Sequence, residues 1–259
     1  MGNKVNSKYI ALKYGLKTEN VRAAVDKTLR SLIPISKEIE VVANGKKRSV
    51  KVTRTGVGFI MTKNGNFYEF EFDVGDKWKR YSVLFPGTVD RNFMPVLKRA
   101  GSCLVRLDSG CETSQVTGDI TCECKEQLEK SMKTIAENGE GFVIRMPLQE
   151  GKGTGVNNKL AAHLLENTLG ISNVEAAMLL SGGDKIDLRT YYGAISVLKF
   201  MGIKPGSTIR LMTNNPRKLV EFNENGYKII RVQLRIAPNR FTRIHLKAKQ
   251  EYLGHIGIA

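Results

Sequence analysis

CLVRLDSGCETSQVTGDITCECKEQLEKSMKTIAENGEGFVIRM occupies residues 103–146. Its opening run, Cys103-Leu104-Val105-Arg106-Leu107, is apolar at nearly every position, as a buried strand requires. Leu128, Met132 and Ile135 then recur at helical spacing, and Gly139 marks the stop. Gly141–Met146 reads as the next strand. The alternation continues downstream. A helix is expected over about Asn158–Thr168, ending near Gly170, and another from near Leu188 to just before Gly202. Ser207–Met212 reads as a strand. It leads into a helix with Asn214 or Asn215 as cap and Pro216 in its first turn, ending before Gly226. Lys228–Leu234 is the last strand. Upstream, residues 50–107 are strand-rich, with Phe67, Tyr68, Phe70 and Phe72 beside polar neighbours and Asn64-Gly65 as a turn. The expectation is an α/β fold: a mixed sheet with strand–helix alternation.

The first 48 residues stand apart as a short basic extension, expected to be partly helical, ahead of a larger domain over 49–259. Residues 1–54 carry thirteen lysines and arginines against four acids. Val21, Val25, Leu29 and Leu32 recur at helical spacing, and Pro34 ends that helix. The plain reading is a packed helix with a solvated basic face; the sharper one is a nucleic-acid contact. Tyr9 and Tyr14 are its only aromatics, which gives little support to base stacking. The whole chain of 259 residues has 41 basic and 25 acidic residues, a formal charge of +16. Such a surplus points to an anionic partner. Length and ordinary globular composition exclude a collagen, a disordered tail and a disulfide-stapled miniprotein. The lysine-bearing N-terminus is not expected to act as a signal peptide, and no apolar run approaches the roughly 18 residues of a membrane span. A cytoplasmic protein is expected.

Cys111, Cys122 and Cys124 form a C-x10-C-x-C cluster. Clustered thiols in a reducing compartment favour a metal over a disulfide, and thiolates of tetrahedral preference favour zinc. Three ligands leave a fourth position for an acidified water, the arrangement of catalytic zinc. Two alternatives stay open at this point. Cys103 could complete a structural site, although a free cysteine on an apolar strand is ordinary, or the cluster could bind no metal.

Four collinear signatures then give the chain a resemblance. Val105-Arg106-Leu107-Asp108-Ser109-Gly110-Cys111, with Thr117-Gly118-Asp119, Cys122-Glu123-Cys124 and Gln127-Leu128, is similar to the zinc motif of GTP cyclohydrolase II. Gln149-Glu150-Gly151-Lys152-Gly153-Thr154-Gly155 with Asn158-Lys159 is the second. Asp187-Leu188-Arg189-Thr190-Tyr191-Tyr192-Gly193 is the third. Leu211-Met212-Thr213-Asn214-Asn215-Pro216-Arg217-Lys218 is the fourth, and Leu253-Gly254-His255 closes the match. The resemblance covers about residues 50–259. It implies a hydrolase that opens the imidazole ring of GTP, releases formate and pyrophosphate, and yields the diaminopyrimidinone ribosyl phosphate that enters riboflavin synthesis. It implies Zn2+ on Cys111, Cys122 and Cys124, Mg2+ with the phosphates, and a homodimer. It implies nucleotide contacts at Arg106, Gln127, Glu150, Gly151, Lys152, Asn173, Thr213 and Lys218. Asp187 matches the family's proton acceptor, Arg189 its phosphate-directed arginine, and His163 stands where the family has a catalytic tyrosine. Since arginine is not deprotonated in proteins, Arg189 is expected to act electrostatically.

Each of these has a plainer reading: a helix cap for Asp187, a solvated first-turn residue for Arg189, a surface lysine for Lys218, a helix-face histidine for His163 and core residues for Tyr191 and Tyr192. The chain also departs from the family. Asp108 and Gly110 replace a histidine and a glutamate, Leu148 and Lys152 replace arginines, and Asn173 replaces a threonine. A divergent paralogue, acting on another purine nucleotide or stopping at the formylated intermediate, is therefore the alternative activity. A non-catalytic nucleotide-binding protein is the alternative class, and nucleic acid is the less favoured partner.

Overall fold

The computed structural model describes residues 6–75, 79–99, 101–183 and 186–257. The chain runs α1 (Ser7–Tyr14), α2 (Thr18–Leu29), β1 (Ile35–Ala43), β2 (Lys46–Thr62), β3 (Gly65–Val74), β4 (Lys79–Phe85), β5 (Ser102–Asp108), α3 (Glu112–Gln115), α4 (Cys124–Asn138), β6 (Phe142–Arg145), α5 (Val156–Leu169), α6 (Asn173–Leu180), α7 (Tyr192–Phe200), β7 (Thr208–Met212), α8 (Arg217–Glu224), β8 (Lys228–Val232) and α9 (Thr242–Leu253). The strands form one mixed sheet in the order β1-β2-β3-β4-β6-β5-β7-β8. Short connections in the sequence join β1–β4, which pair as an antiparallel meander. Between β1 and β2 the turn is Asn44-Gly45, both at positive φ (54° and 71°), as a two-residue hairpin turn requires. Helical crossovers make β6, β5, β7 and β8 parallel, and β6 joins the two halves by pairing antiparallel with β4.

The apolar run at 103–107 is explained by burial on both faces. Cys103, Val105 and Leu107 enter one core with Phe70, Phe72 and Ile195, Leu198 and Phe200 of α7. Leu104 faces the other way, into a second core with Met132 and Ile135 of α4. The expected mixed α/β sheet is what the chain forms.

Several expected details differ. The boundary at residue 48 falls inside β2, because β1 and β2 zip together from Ile35↔Arg54 to Ala43↔Lys46. The helix carrying Val21, Val25 and Leu29 buries none of its side chains, so it is not the packed helix expected, and Lys4 lies outside the described residues. The helix expected from Leu188 begins at Tyr192, because residues 187–189 are drawn against a glycine turn. A Cβ on Gly153 (φ 85°) would lie 2.8 Å from the Arg189 nitrogen, and Leu188 N–H donates to the Lys152 carbonyl at 2.8 Å. Helices α6 and α9 were not anticipated.

The order β6-β5-β7 places β5 at the point where connections depart in opposite directions. Ligands of open α/β sheets bind beyond the carboxyl ends of strands at such a point. Here β5 leads to Cys111, β6 to residues 149–155, and β7 to Thr213-Asn214-Asn215.

Candidate active site

Those three loops, with α4, α5, α6 and α9, wall a single cavity. Cys111, Cys122, Cys124, Arg106, Gln127, Glu150, Gly151, Lys152, His163, Asn173, Arg189, Thr213 and Lys218 all line it. Asp187 alone among the expected site residues does not; it lies behind Arg189.

The three cysteines converge because β5 delivers Cys111 while Cys124 opens α4. Cys111 and Cys122 Sγ are 3.6 Å apart, and all three sulfurs lie within 4.8 Å of one another. Tetrahedral zinc with bonds of about 2.3 Å holds its sulfurs about 3.8 Å apart, so the donor set and spacing fit that ion. Cys103 is not among them. Its thiol is buried in the sheet core against the Leu104 carbonyl, so it does not complete a four-sulfur site. Hydrogen bonds from the other two thiols, and then the Lys159 ammonium 3.0 Å away, hold Cys111 far below the ordinary thiol value. That thiolate in turn pushes Cys122 up to about 11 and Cys124 well above its usual range.

Arg106 is buried and spans the cavity floor. It donates to the Met212 carbonyl at 3.2 Å and to Gln127 Oε1 at 2.9 Å. Gln127 donates to Glu123, which also receives Lys249 of α9 at 3.1 Å. Glu150 is occupied by protein partners: it accepts from Glu112 N–H and from Lys159, both at 2.8 Å. Gly151 turns at φ 60°, and Lys152 follows at φ 59° with its ammonium on the Asn173 carbonyl at 3.1 Å.

Arg189 is clamped bidentately by Asp187, at 2.8 and 2.6 Å. Burial pushes Asp187 up, but Arg189 and Arg217 outweigh it and leave the carboxylate below its ordinary value. Asp187 caps no helix, and Arg189 is not a solvated residue; the plainer readings of both are corrected. So is that of Lys218, which is 4% exposed, donates to the Leu107 carbonyl at 2.9 Å and lies over the Tyr191 ring. Tyr191 is core, as its plainer reading held. Asn215 is the capping side chain of α8, accepting from Arg217 N–H at 3.0 Å, while Thr213 Oγ1 accepts from Asn215 N–H.

Two observations define what this cavity accepts. Lys152 and Lys218 bond to carbonyls rather than carboxylates. Burial first, then neighbouring cations, pushes Lys152 down to about 8 and Lys218 well below the lysine range. An anionic ligand reverses both shifts. Moreover, buried atoms of five wall residues lack a hydrogen-bond partner: Arg106 Nε, His163 Nε2, Asn173 Oδ1, Asn215 Nδ2 and His255 Nε2. Unpaired buried polar atoms on residues that line one cavity mark a polar ligand. Glu123, Lys159, Glu166, Lys249 and His255 are wall residues that sequence reasoning did not assign. The histidines carried one usable signal, since the chain has only three.

A family model described as GTP cyclohydrolase II matches residues 59–233. The chain is 39% identical over 198 residues to GTP cyclohydrolase-2 of Picrophilus torridus, covering 76% of this chain and 95% of that one. It is 35% identical over 198 residues to GTP cyclohydrolase-2 of Shewanella sediminis, covering 76% and 89%. With riboflavin biosynthesis protein RibBA of Porphyromonas gingivalis it shares 34% over 195 residues, 75% of this chain but only 44% of that longer one. A crystal structure of RibBX, a two domain 3,4-dihydroxy-2-butanone 4-phosphate synthase from A. baumannii, overlaps 89% of this chain and 50% of its own at a TM-score of 0.36 and 13% identity, too slight a likeness to carry an argument. The collinear signatures, their convergence on one cavity and the match over most of the sheet agree: the chain belongs to the GTP cyclohydrolase II family.

Proposed function

We propose that this chain is a zinc-dependent hydrolase that binds GTP, opens its imidazole ring, and releases formate and pyrophosphate to give a diaminopyrimidinone ribosyl phosphate, as part of riboflavin synthesis. The observation that carries the reading is the sharing of one cavity by a thiol trio and two ammonium groups without carboxylate partners, Lys218 buried and Lys152 half-buried. Cys111, Cys122 and Cys124 would hold the zinc, which supplies a Lewis acid and an acidified water. Lys218 and Lys152 neutralise the triphosphate, beside the start of α8, where the helix dipole favours negative charge. Mg2+ is carried with the phosphates. Asp187 fixes Arg189, whose guanidinium stabilises negative charge on the transferring phosphate without losing its own proton. The row Gln127–Glu123–Lys249 holds Arg106 in place. His163 handles a proton at the base. The homodimer and the cytoplasmic setting belong to the same reading. Among the described residues no helix is long and apolar enough to cross a membrane.

A second reading is favoured by one observation: Asp108, Lys152, His163 and Asn173, which depart from the family pattern, all line the cavity. It assigns the chain an altered purine nucleotide or an arrested, formylated product. Metal analysis of the purified chain, followed by separate measurement of formate and pyrophosphate from GTP, decides. Both products support the first reading. Pyrophosphate alone supports the second, and neither product removes GTP as substrate.

A further inference from the structure

All three histidines of the chain gather at this site. His163 and His255 line the cavity, and His245 of α9 lies behind it, 5% exposed. His163 and Glu166 are separated by one turn of α5, which sets His163 Nδ1 3.3 Å from Glu166 Oε2. The same Oε2 is 3.8 Å from His245 Nε2. His245 Nδ1 accepts the Asn173 backbone N–H at 3.0 Å. A neutral imidazole that accepts at one nitrogen carries its proton on the other, so His245 turns an N–H toward Glu166. Glu166, itself buried, thus stands between two rings. The remaining nitrogen of His163, Nε2, is buried without a hydrogen-bond partner, 3.6 Å from Asp119 Oδ2.

We propose that Glu166 and His245 are positioning residues: Glu166, braced by His245, clamps His163 through Nδ1 and leaves the His163 Nε2–H free to deliver a proton to the ligand. The nature of the acceptor, a nitrogen of the opening base, rests on the proposed function. In the step the Nε2–H bond breaks, its electron pair stays on Nε2, and the proton passes to that nitrogen. The ring is left neutral with Nδ1–H still on Glu166, and solvent water returns the proton. The groups facing His163 set its charge before the step. Glu166 raises its pKa, burial lowers it, and Asp119 raises it further against Lys159; the balance lies above the ordinary histidine value. Burial and the neighbouring cations Lys249 and His163 keep His245 below that value.

With only three histidines, ring NMR of the 259-residue chain resolves the question, each signal being assigned by His163→Gln, His245→Gln or His255→Gln. The expected result is a His163 midpoint above about 6.5 that falls by about one pH unit in Glu166→Gln and shifts the same way in His245→Gln. Glu166→Asp is expected to recover part of it. In turnover, Glu166→Gln should lower kcat at least about tenfold and move its alkaline limb to lower pH, with KM within about twofold. A His163 midpoint unmoved in both variants overturns the clamp. An unmoved alkaline limb, or a change confined to KM, overturns proton delivery. If the wild-type chain does not turn over GTP, the proposed function fails by itself, while the NMR titrations still decide the clamp.

Discussion

Replacing Lys218 with methionine separates the two demands placed on a buried ammonium. In the ligand-free chain Lys218 is 4% exposed and hydrogen-bonded only to the Leu107 carbonyl, with Arg106 and Arg189 adding to the penalty. Replacing a buried charged group by an apolar one of similar shape is neutral or stabilising by about 1–4 kcal/mol. At about 2–4 °C per kcal/mol for a chain of this size, the variant should melt no lower than wild type without nucleotide, and up to about 16 °C higher. Binding of a triphosphate has the opposite sign. Removing one partner of a buried charge pair costs about 2–5 kcal/mol, and each 1.4 kcal/mol is tenfold in affinity. KM for GTP is therefore expected to rise at least about thirtyfold, and the thermal upshift that saturating GTP gives wild type should shrink accordingly. The assay is differential scanning fluorimetry with and without GTP, beside steady-state kinetics. A variant that melts lower than wild type and keeps its KM refutes the reasoning, for Lys218 would then be a structural strut.

Lys152 gives a pH dependence with a defined sign. Its pKa is lowered from 10.5 to about 8, so between those values the unfolded chain binds more protons than the folded one and stability rises with pH. Below about 8 the contribution is lost. Anion affinity runs the other way: KM should climb above about pH 8, and Lys152→Arg, which stays charged, should flatten that climb while kcat is retained. Cys122→Ser should lower bound zinc by at least about tenfold in elemental analysis while the melting transition stays cooperative; wild-type metal content in the variant would remove the thiol trio as the metal site. Gly153→Ala should destabilise by about 1–3 kcal/mol in urea titration, because φ is 85° and the new Cβ meets the Arg189 backbone at 2.8 Å. An unchanged midpoint would show that the 187–189 segment is not held by this turn.

The alternation from Cys103 to Met146 was legible because β5 is buried on both faces and α4 has one apolar stripe, so both periodicities survive in the residues. The thiol trio was legible from spacing and residue type. The helix start at Leu188 was misplaced because side-chain and turn contacts, not periodicity, fix residues 187–191. Helix α6 is apolar on nearly every side and hides its period, though its Ser172/Glu175 capping box was a readable start. Helix α9 packs through Thr242, His245, Leu246 and Ala248, a face too polar to register as an apolar stripe. That omission concealed Lys249 and His245 as site residues. The plain reading of Lys218 as a surface residue failed for a related reason: burial of a lysine is decided by the strand and ring it passes, neither of which adjoins it in sequence.

The seam at β6, where a meander meets a parallel half, also orders the chain's assembly. β1 to β4 pair through short connections and can form as soon as they are made, whereas β5 and β7 must meet across about a hundred intervening residues. Loop closure over that distance is slow relative to hairpin formation. Cys111, Cys122 and Cys124 are synthesised before β7, α8 and α9 exist to enclose them. For that interval on the ribosome the nascent chain carries three open thiols, exposed to oxidation or to capture by a passing metal. The edge that folds first is thus chemically inert, and the vulnerable chemistry waits for the last helix described to dock.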